Sequence, residues 1–90
     1  MNLKEAIKIN ASCVASKYSI ASGGKEFKTG LSMRDEMEAW KLCKDNNIKF
    51  TEFAVYQNDK KIANIIYKYS AKKINCCYKV LSYKVEFLEV

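Results

Sequence analysis

The sequence predicts an α+β domain, an antiparallel sheet of four to five strands with one or two helices packed on one face. Three observations carry that expectation. A capped apolar stripe at three- to four-residue spacing occupies about residues 32–45. Two segments rich in aromatic and β-branched residues, 48–56 and 61–69, flank the polar tetrapeptide Gln57-Asn58-Asp59-Lys60. The chain has 90 residues, 49% of them apolar, with no proline and no low-complexity linker, which suits one domain over 1–90.

The N-terminal segment opens with Asn2-Leu3-Lys4-Glu5, an asparagine cap with glutamate three residues on. Leu3, Ala6, Ile7, Asn10, Ala11 and Val14 follow at helical spacing, so a first helix is expected over about 3–15. Val14, Ser16, Tyr18 and Ile20 alternate, which predicts a short strand near 16–22. Gly23-Gly24 reads as a turn, and Lys17–Ser22 and Lys25–Thr29 as the two arms of a hairpin across it.

Ser32 is a good N-cap for the second helix, and Asp35 and Glu36 suit the positive end of its dipole. Lys41 and Lys44 suit its other end, and Asp45-Asn46-Asn47 terminates it. Met33, Met37, Trp40 and Cys43 form its apolar stripe, so Trp40 is expected in the core.

Residues 48–56 then read as one strand, and Lys61–Tyr69 as its hairpin partner. Ile62, Ile65, Ile66 and Tyr69 also fit helical spacing, but the preceding turn and aromatic strand favour a strand. In that strand Ala63, Ile65, Tyr67 and Tyr69 share one side, and Ile62, Asn64, Ile66 and Lys68 the other. After the polar break Ser70–Lys73, Cys76, Tyr78 and Val80 alternate, then Tyr83, Val85 and Phe87 alternate in the opposite phase. The slip near Leu81-Ser82 predicts a bulge or tight turn. Without proline, strand edges lack one of their usual blockers, so a homodimer through a strand edge is expected.

Charge supplies the functional clue. The net charge is +6, and residues 60–85 contain seven lysines, four tyrosines and no acid. Fifteen of the sixteen basic residues are lysine. Lysine is a point charge that suits phosphate neutralisation, whereas arginine forks onto guanine. Lys60, Lys61, Lys68, Lys72, Lys73, Lys79 and Lys84 are therefore the candidate phosphate contacts, and Tyr67, Tyr69, Tyr78 and Tyr83 the candidate stacking rings. The competing reading packs the tyrosines in the core and leaves the lysines as solubilising charges.

The same residues bound the other possibilities. With no histidine, the usual general base and the Ser-His and Cys-His nucleophile pairs are absent, so no enzyme is expected. Gly23-Gly24 lacks the frame of a phosphate-cradling loop. Cys13, Cys43, Cys76 and Cys77 form no C-x-x-C pair, so they are expected as reduced thiols without a metal or cofactor. No run of about 18 apolar residues is present and the N-terminus lacks the apolar core of a secretory signal, so a cytoplasmic protein without a membrane partner is expected.

The balance favours a small, basic, non-enzymatic binder of RNA or another polyanion, with little sequence choice and a regulatory or interfering role. The Lys-, Asn-, Ile- and Tyr-rich composition is that of AT-rich coding sequence, as in small proteins of phages and mobile elements. The alternative is a protein-binding inhibitor, an anti-defence or antitoxin-like factor that blocks a protein or ribonucleoprotein partner.

Overall fold

A computed structural model describes residues 1–27, 30–73 and 77–88. Its order is α1 (Leu3–Ala21), α2 (Met33–Asp45), β1 (Ile48–Phe50), β2 (Ala54–Gln57), β3 (Lys60–Tyr69) and β4 (Val80–Phe87). The four strands form one antiparallel meander in the order β1-β2-β3-β4. Both helices contribute to the core on one face of the sheet, which is the α+β arrangement expected.

α1 starts where the capping pattern places it. The Asn2 side chain accepts from the Glu5 N–H at 2.8 Å. The helix then continues past residue 15 to Ala21, and the strand expected near 16–22 is absent. Its buried side is Ala6, Ile7, Asn10, Ala11, Ala15 and Ser19, with Ser12 and Ser16. Small and hydroxylated residues line that side, so hydropathy contrast is weak there and the helical period is easily taken for alternation. Ile20, the last residue of the apparent alternation, is 55% exposed, while Ser19 is fully buried.

Gly23-Gly24 ends this helix and makes no hairpin. Ser22 is the C-cap and Gly23 takes φ 81°, in the left-handed region. The Gly23 N–H donates to the Ile20 carbonyl at 3.0 Å and the Gly24 N–H to the Ser19 carbonyl at 2.7 Å. That pair of bonds is a Schellman cap. Of the second expected hairpin arm, residues 28 and 29 lie outside the described residues, and Lys25–Phe27 form no strand. Ser16 pins this segment by exchanging two hydrogen bonds with the Phe27 backbone, at 2.8 and 3.0 Å.

α2 has the expected bounds, with the Ser32 hydroxyl accepting from the Asp35 N–H at 3.3 Å. Its orientation is not the expected one. The buried residues are Ala39 and Cys43, while Trp40 is 43% exposed and meets Phe50 edge-on at 5.7 Å. Alanines at Ala6, Ala11, Ala39 and Ala63 are fully buried, so the core is built from small side chains around Ile7, Val55 and Ile65. Close approach of that kind leaves no room for an indole. The amide of Asn10 on α1 donates to the Ala39 carbonyl at 3.2 Å across the helix pair.

Residues 48–56 make two short strands rather than one. Thr51 breaks the run: its N–H donates to the Ala54 carbonyl at 2.9 Å and its hydroxyl accepts from the Ala54 N–H at 3.0 Å. Such a threonine turn interrupts a strand without glycine or proline. The β2–β3 hairpin is the one expected. Gln57 pairs with Lys60 around Asn58 and Asp59, whose φ values are 50° and 66°. Two consecutive positive φ angles favour a tight hairpin turn, and Asn and Asp tolerate them.

β3 is a strand as read, and Ala63, Ile65 and Tyr67 face the helices. Its pairing with β4 shifts where Lys68 faces Ser82 and Tyr69 faces Val80. Leu81 is the extra residue, which is the phase slip expected near Leu81-Ser82. Cys76, where the earlier phase was expected to begin, lies outside the described residues.

Candidate nucleic-acid interface

Strand alternation places Asn64, Ile66 and Lys68 of β3 on the sheet face away from the helices, beside Glu86, Lys84 and Ser82 of β4. Lys68 and Lys84 thus lie on one open face. The Lys84 ammonium is 3.8 Å from a Glu86 carboxylate oxygen, a solvated pair worth about 0–1 kcal/mol. Among the described residues, no carboxylate lies within ion-pair distance of Lys60, Lys61, Lys68, Lys72, Lys73 or Lys79.

The seven lysines do not share one patch. Lys60 and Lys61 stand at the hairpin end of β3. Lys68 is eight residues along, roughly 26 Å away at ~3.3 Å per residue. Lys72 and Lys73 follow the distal end of β3, and Lys79 immediately precedes β4. Ser70 ties this end together. Its N–H donates to the Lys79 carbonyl at 2.8 Å, and its hydroxyl accepts from the Lys79 N–H at 3.1 Å. The hydroxyl also donates to the Lys72 carbonyl at 2.9 Å.

The tyrosines divide as well. Tyr67 is half-buried in an aromatic group, with ring centroids 4.6 Å from Tyr18, 5.9 Å from Phe53 and 6.4 Å from Tyr69. Its hydroxyl donates to the Glu52 carbonyl, and burial pushes its phenol above the usual range. Tyr83 is half-buried against Phe27, 5.0 Å between centroids. Both are less exposed than the other two tyrosines of this third of the chain. Tyr69 and Tyr78 are 41% and 47% exposed. The Lys73 ammonium lies 5.7 Å from the Tyr78 ring centroid.

Tyr18, Ser22, Tyr69, Ser70, Cys77 and Tyr78 line an open depression of about 550 Å³ at this end. The Tyr18 and Tyr69 hydroxyls are 2.9 Å apart on its wall. A second depression, of about 380 Å³, brings Lys25 beside Lys79 at the glycine cap of α1. Sequence reasoning left Tyr18 and Lys25 out of the site. No local signal marks either, because only the docking of the α1 C-terminus against the β3–β4 end brings them there.

Burial pushes the Cys43 and Cys13 thiols up, which lowers their thiolate fraction. Among the described residues, no three histidine, cysteine or acidic side chains gather as a metal site, and no helix is long and apolar enough to cross a membrane. Comparison with known protein-family models, curated proteins and solved structures finds no significant similarity to this chain.

Proposed function

We propose that this chain is a small non-enzymatic module that binds single-stranded nucleic acid, RNA in preference to DNA, with little sequence choice. Its setting is cytoplasmic and its role regulatory or interfering. The observation that carries this reading is the exposure of the Tyr69 and Tyr78 rings around one depression, at the strand end that carries Lys72, Lys73 and Lys79. Exposed rings take unpaired bases by stacking, and unpaired ammonium groups neutralise the adjoining phosphates. Lysine rather than arginine matches contact with the backbone instead of base reading. Lys68 and Lys84 extend the positive surface onto the open sheet face, and Lys60 and Lys61 are distal contributors.

Fluorescence anisotropy with labelled single-stranded RNA at two salt concentrations tests the reading. Binding weakens steeply with salt, and Lys72→Glu with Lys73→Glu weakens it further while circular dichroism stays unchanged. Equal affinity in that variant, or no affinity in the parent at low salt, defeats the proposal.

The competing reading is a protein-binding inhibitor. What favours it is the outer edge of β4, an eight-residue strand without proline that, among the described residues, pairs only with β3. Such an edge adds to a partner's sheet. Recovery of one defined protein from nuclease-treated lysate, lost on a β4-edge proline substitution, selects this reading.

A further inference from the structure

The outer side of α2 carries two adjacent stripes. Met33, Met37 and Trp40 recur at i, i+4 and i+7 and are 76%, 65% and 43% exposed. Beside them Arg34, Glu38, Lys41 and Asp45 recur at i, i+4, i+7 and i+11, all exposed. None of these four makes an ion pair within 4 Å among the described residues. Methionine, tryptophan and arginine are the side chains enriched at the centres of protein interfaces. An uninterrupted apolar stripe of this kind is unusual on a surface that faces only water.

The charged stripe states what covers the apolar one. Its signs run plus, minus, plus, minus from Arg34 to Asp45. Reversal turns every plus into a minus. An antiparallel second α2 therefore sets Asp45 against Arg34 and Lys41 against Glu38, and the twofold axis repeats both pairs. A parallel copy in register sets like charges against each other. In a twofold antiparallel pair the same flank of each helix meets, so the charged stripes face one another along the rim. The apolar stripe obeys the same reversal, because Met37 exchanges with Trp40 about a point within one residue of the charge centre, or ~1.5 Å along the axis.

We propose that α2 is the contact between two copies of this chain, paired antiparallel about a twofold axis level with Ala39. Met37 of each copy packs on Trp40 of the other, and Glu38 faces Lys41 of the other copy. Because α2 lies on the inner face of the sheet, this pairing leaves both outer sheet faces, with Lys68 and Lys84, turned away from the contact. The pairing is independent of the nucleic-acid reading.

Sedimentation equilibrium of the full chain from ~1 to ~100 µM reads the association directly. The parent chain sediments as a dimer in the upper part of that range. Glu38→Lys and Lys41→Glu, each alone, raise the dissociation constant by ~10-fold or more, because each places like charges together twice. The double swap, Glu38→Lys with Lys41→Glu, restores it to within ~3-fold of the parent by the same argument. Trp40→Glu leaves monomers, with circular dichroism confirming that the helices remain. A parent that stays monomeric at the highest concentration overturns the proposal. A dimer indifferent to Trp40→Glu also overturns it and points to the β4 edge. So does a double swap no better than its single components.

Discussion

The Tyr18 and Tyr69 hydroxyls, 2.9 Å apart, tie the last turns of α1 to the distal end of β3. The residues are 51 positions apart in the chain. Around this bond, Phe53 and Tyr67 complete an aromatic cluster, with Phe53 edge-on to Tyr18 at 5.2 Å. The bond also forms one wall of the depression between Tyr69 and Tyr78, so it joins the stability of the fold to the shape of the proposed site.

That bond has a pH signature. The hydrogen bond to Tyr18 and then burial push the Tyr69 phenol up from 10.0 to about 12. The folded state therefore holds this proton more tightly than the unfolded state. The associated stability is complete below pH 10 and is lost as pH rises from there through 12. Ultraviolet titration of Tyr18→Phe should show a phenol returning towards its ordinary value. Chemical denaturation of the same variant near neutral pH should show a loss of about 0.5–1.5 kcal/mol. An unchanged titration curve counts against the bond.

Gly24 is expected to be the least replaceable glycine. A Cβ there meets the Ser19 hydroxyl oxygen at 2.5 Å and the Val80 carbonyl at 3.1 Å, where the end of α1 sits against the start of β4. Gly24→Ala should cost about 1–3 kcal/mol in urea unfolding through overpacking. Gly23→Ala meets no neighbouring atom within 4 Å and should cost only the ~1–2 kcal/mol of left-handed backbone at φ 81°.

Trp40→Ala should be mild, although tryptophan is the largest side chain of α2. It removes the edge contact with Phe50, worth about 0.5–1.5 kcal/mol beyond the side chain's partial burial. Ile65→Ala, at a site 3% exposed, should cost about 2–5 kcal/mol. Thermal denaturation of both variants at submicromolar concentration gives the comparison without a contribution from association. A larger loss at Trp40 than at Ile65 contradicts the observed packing.

The division of the lysines makes a ranking of RNA affinities. Tyr78→Ala should weaken binding by about 1–3 kcal/mol through lost stacking. Lys72→Glu with Lys73→Glu should also flatten the salt dependence, each lost phosphate contact removing ~0.7 from its log–log slope. Lys60→Glu with Lys61→Glu, at the far end of β3, should have the smaller effect. Anisotropy titrations across salt concentrations measure all three. The reverse order places the contact at the β2–β3 hairpin.

Much of this fold is legible in the residues themselves. The Asn2 and Ser32 caps, the bounds of α2 and the Asn58-Asp59 turn arise from contacts within a few residues, and the strand nature of 61–69 and the slip at Leu81 show in the phase of side-chain alternation. Local stereochemistry decides such features, so local sequence reveals them. The same holds for the concentration of lysine and tyrosine in the last third, although not for its arrangement.

What the sequence by itself determined is which residues share a face; what only the tertiary structure decided is which face the core covers. Periodicity groups Met33, Met37, Trp40 and Cys43 on one side of α2, but of these the sheet admits only Cys43, together with the neighbouring Ala39, because helices packed this closely accommodate only small side chains. The same selection buried Ser19 in place of Ile20, half-buried Tyr67 and left Tyr69 and Tyr78 at the surface. Burial depends on the summed fit of all elements, a quantity that no single segment encodes.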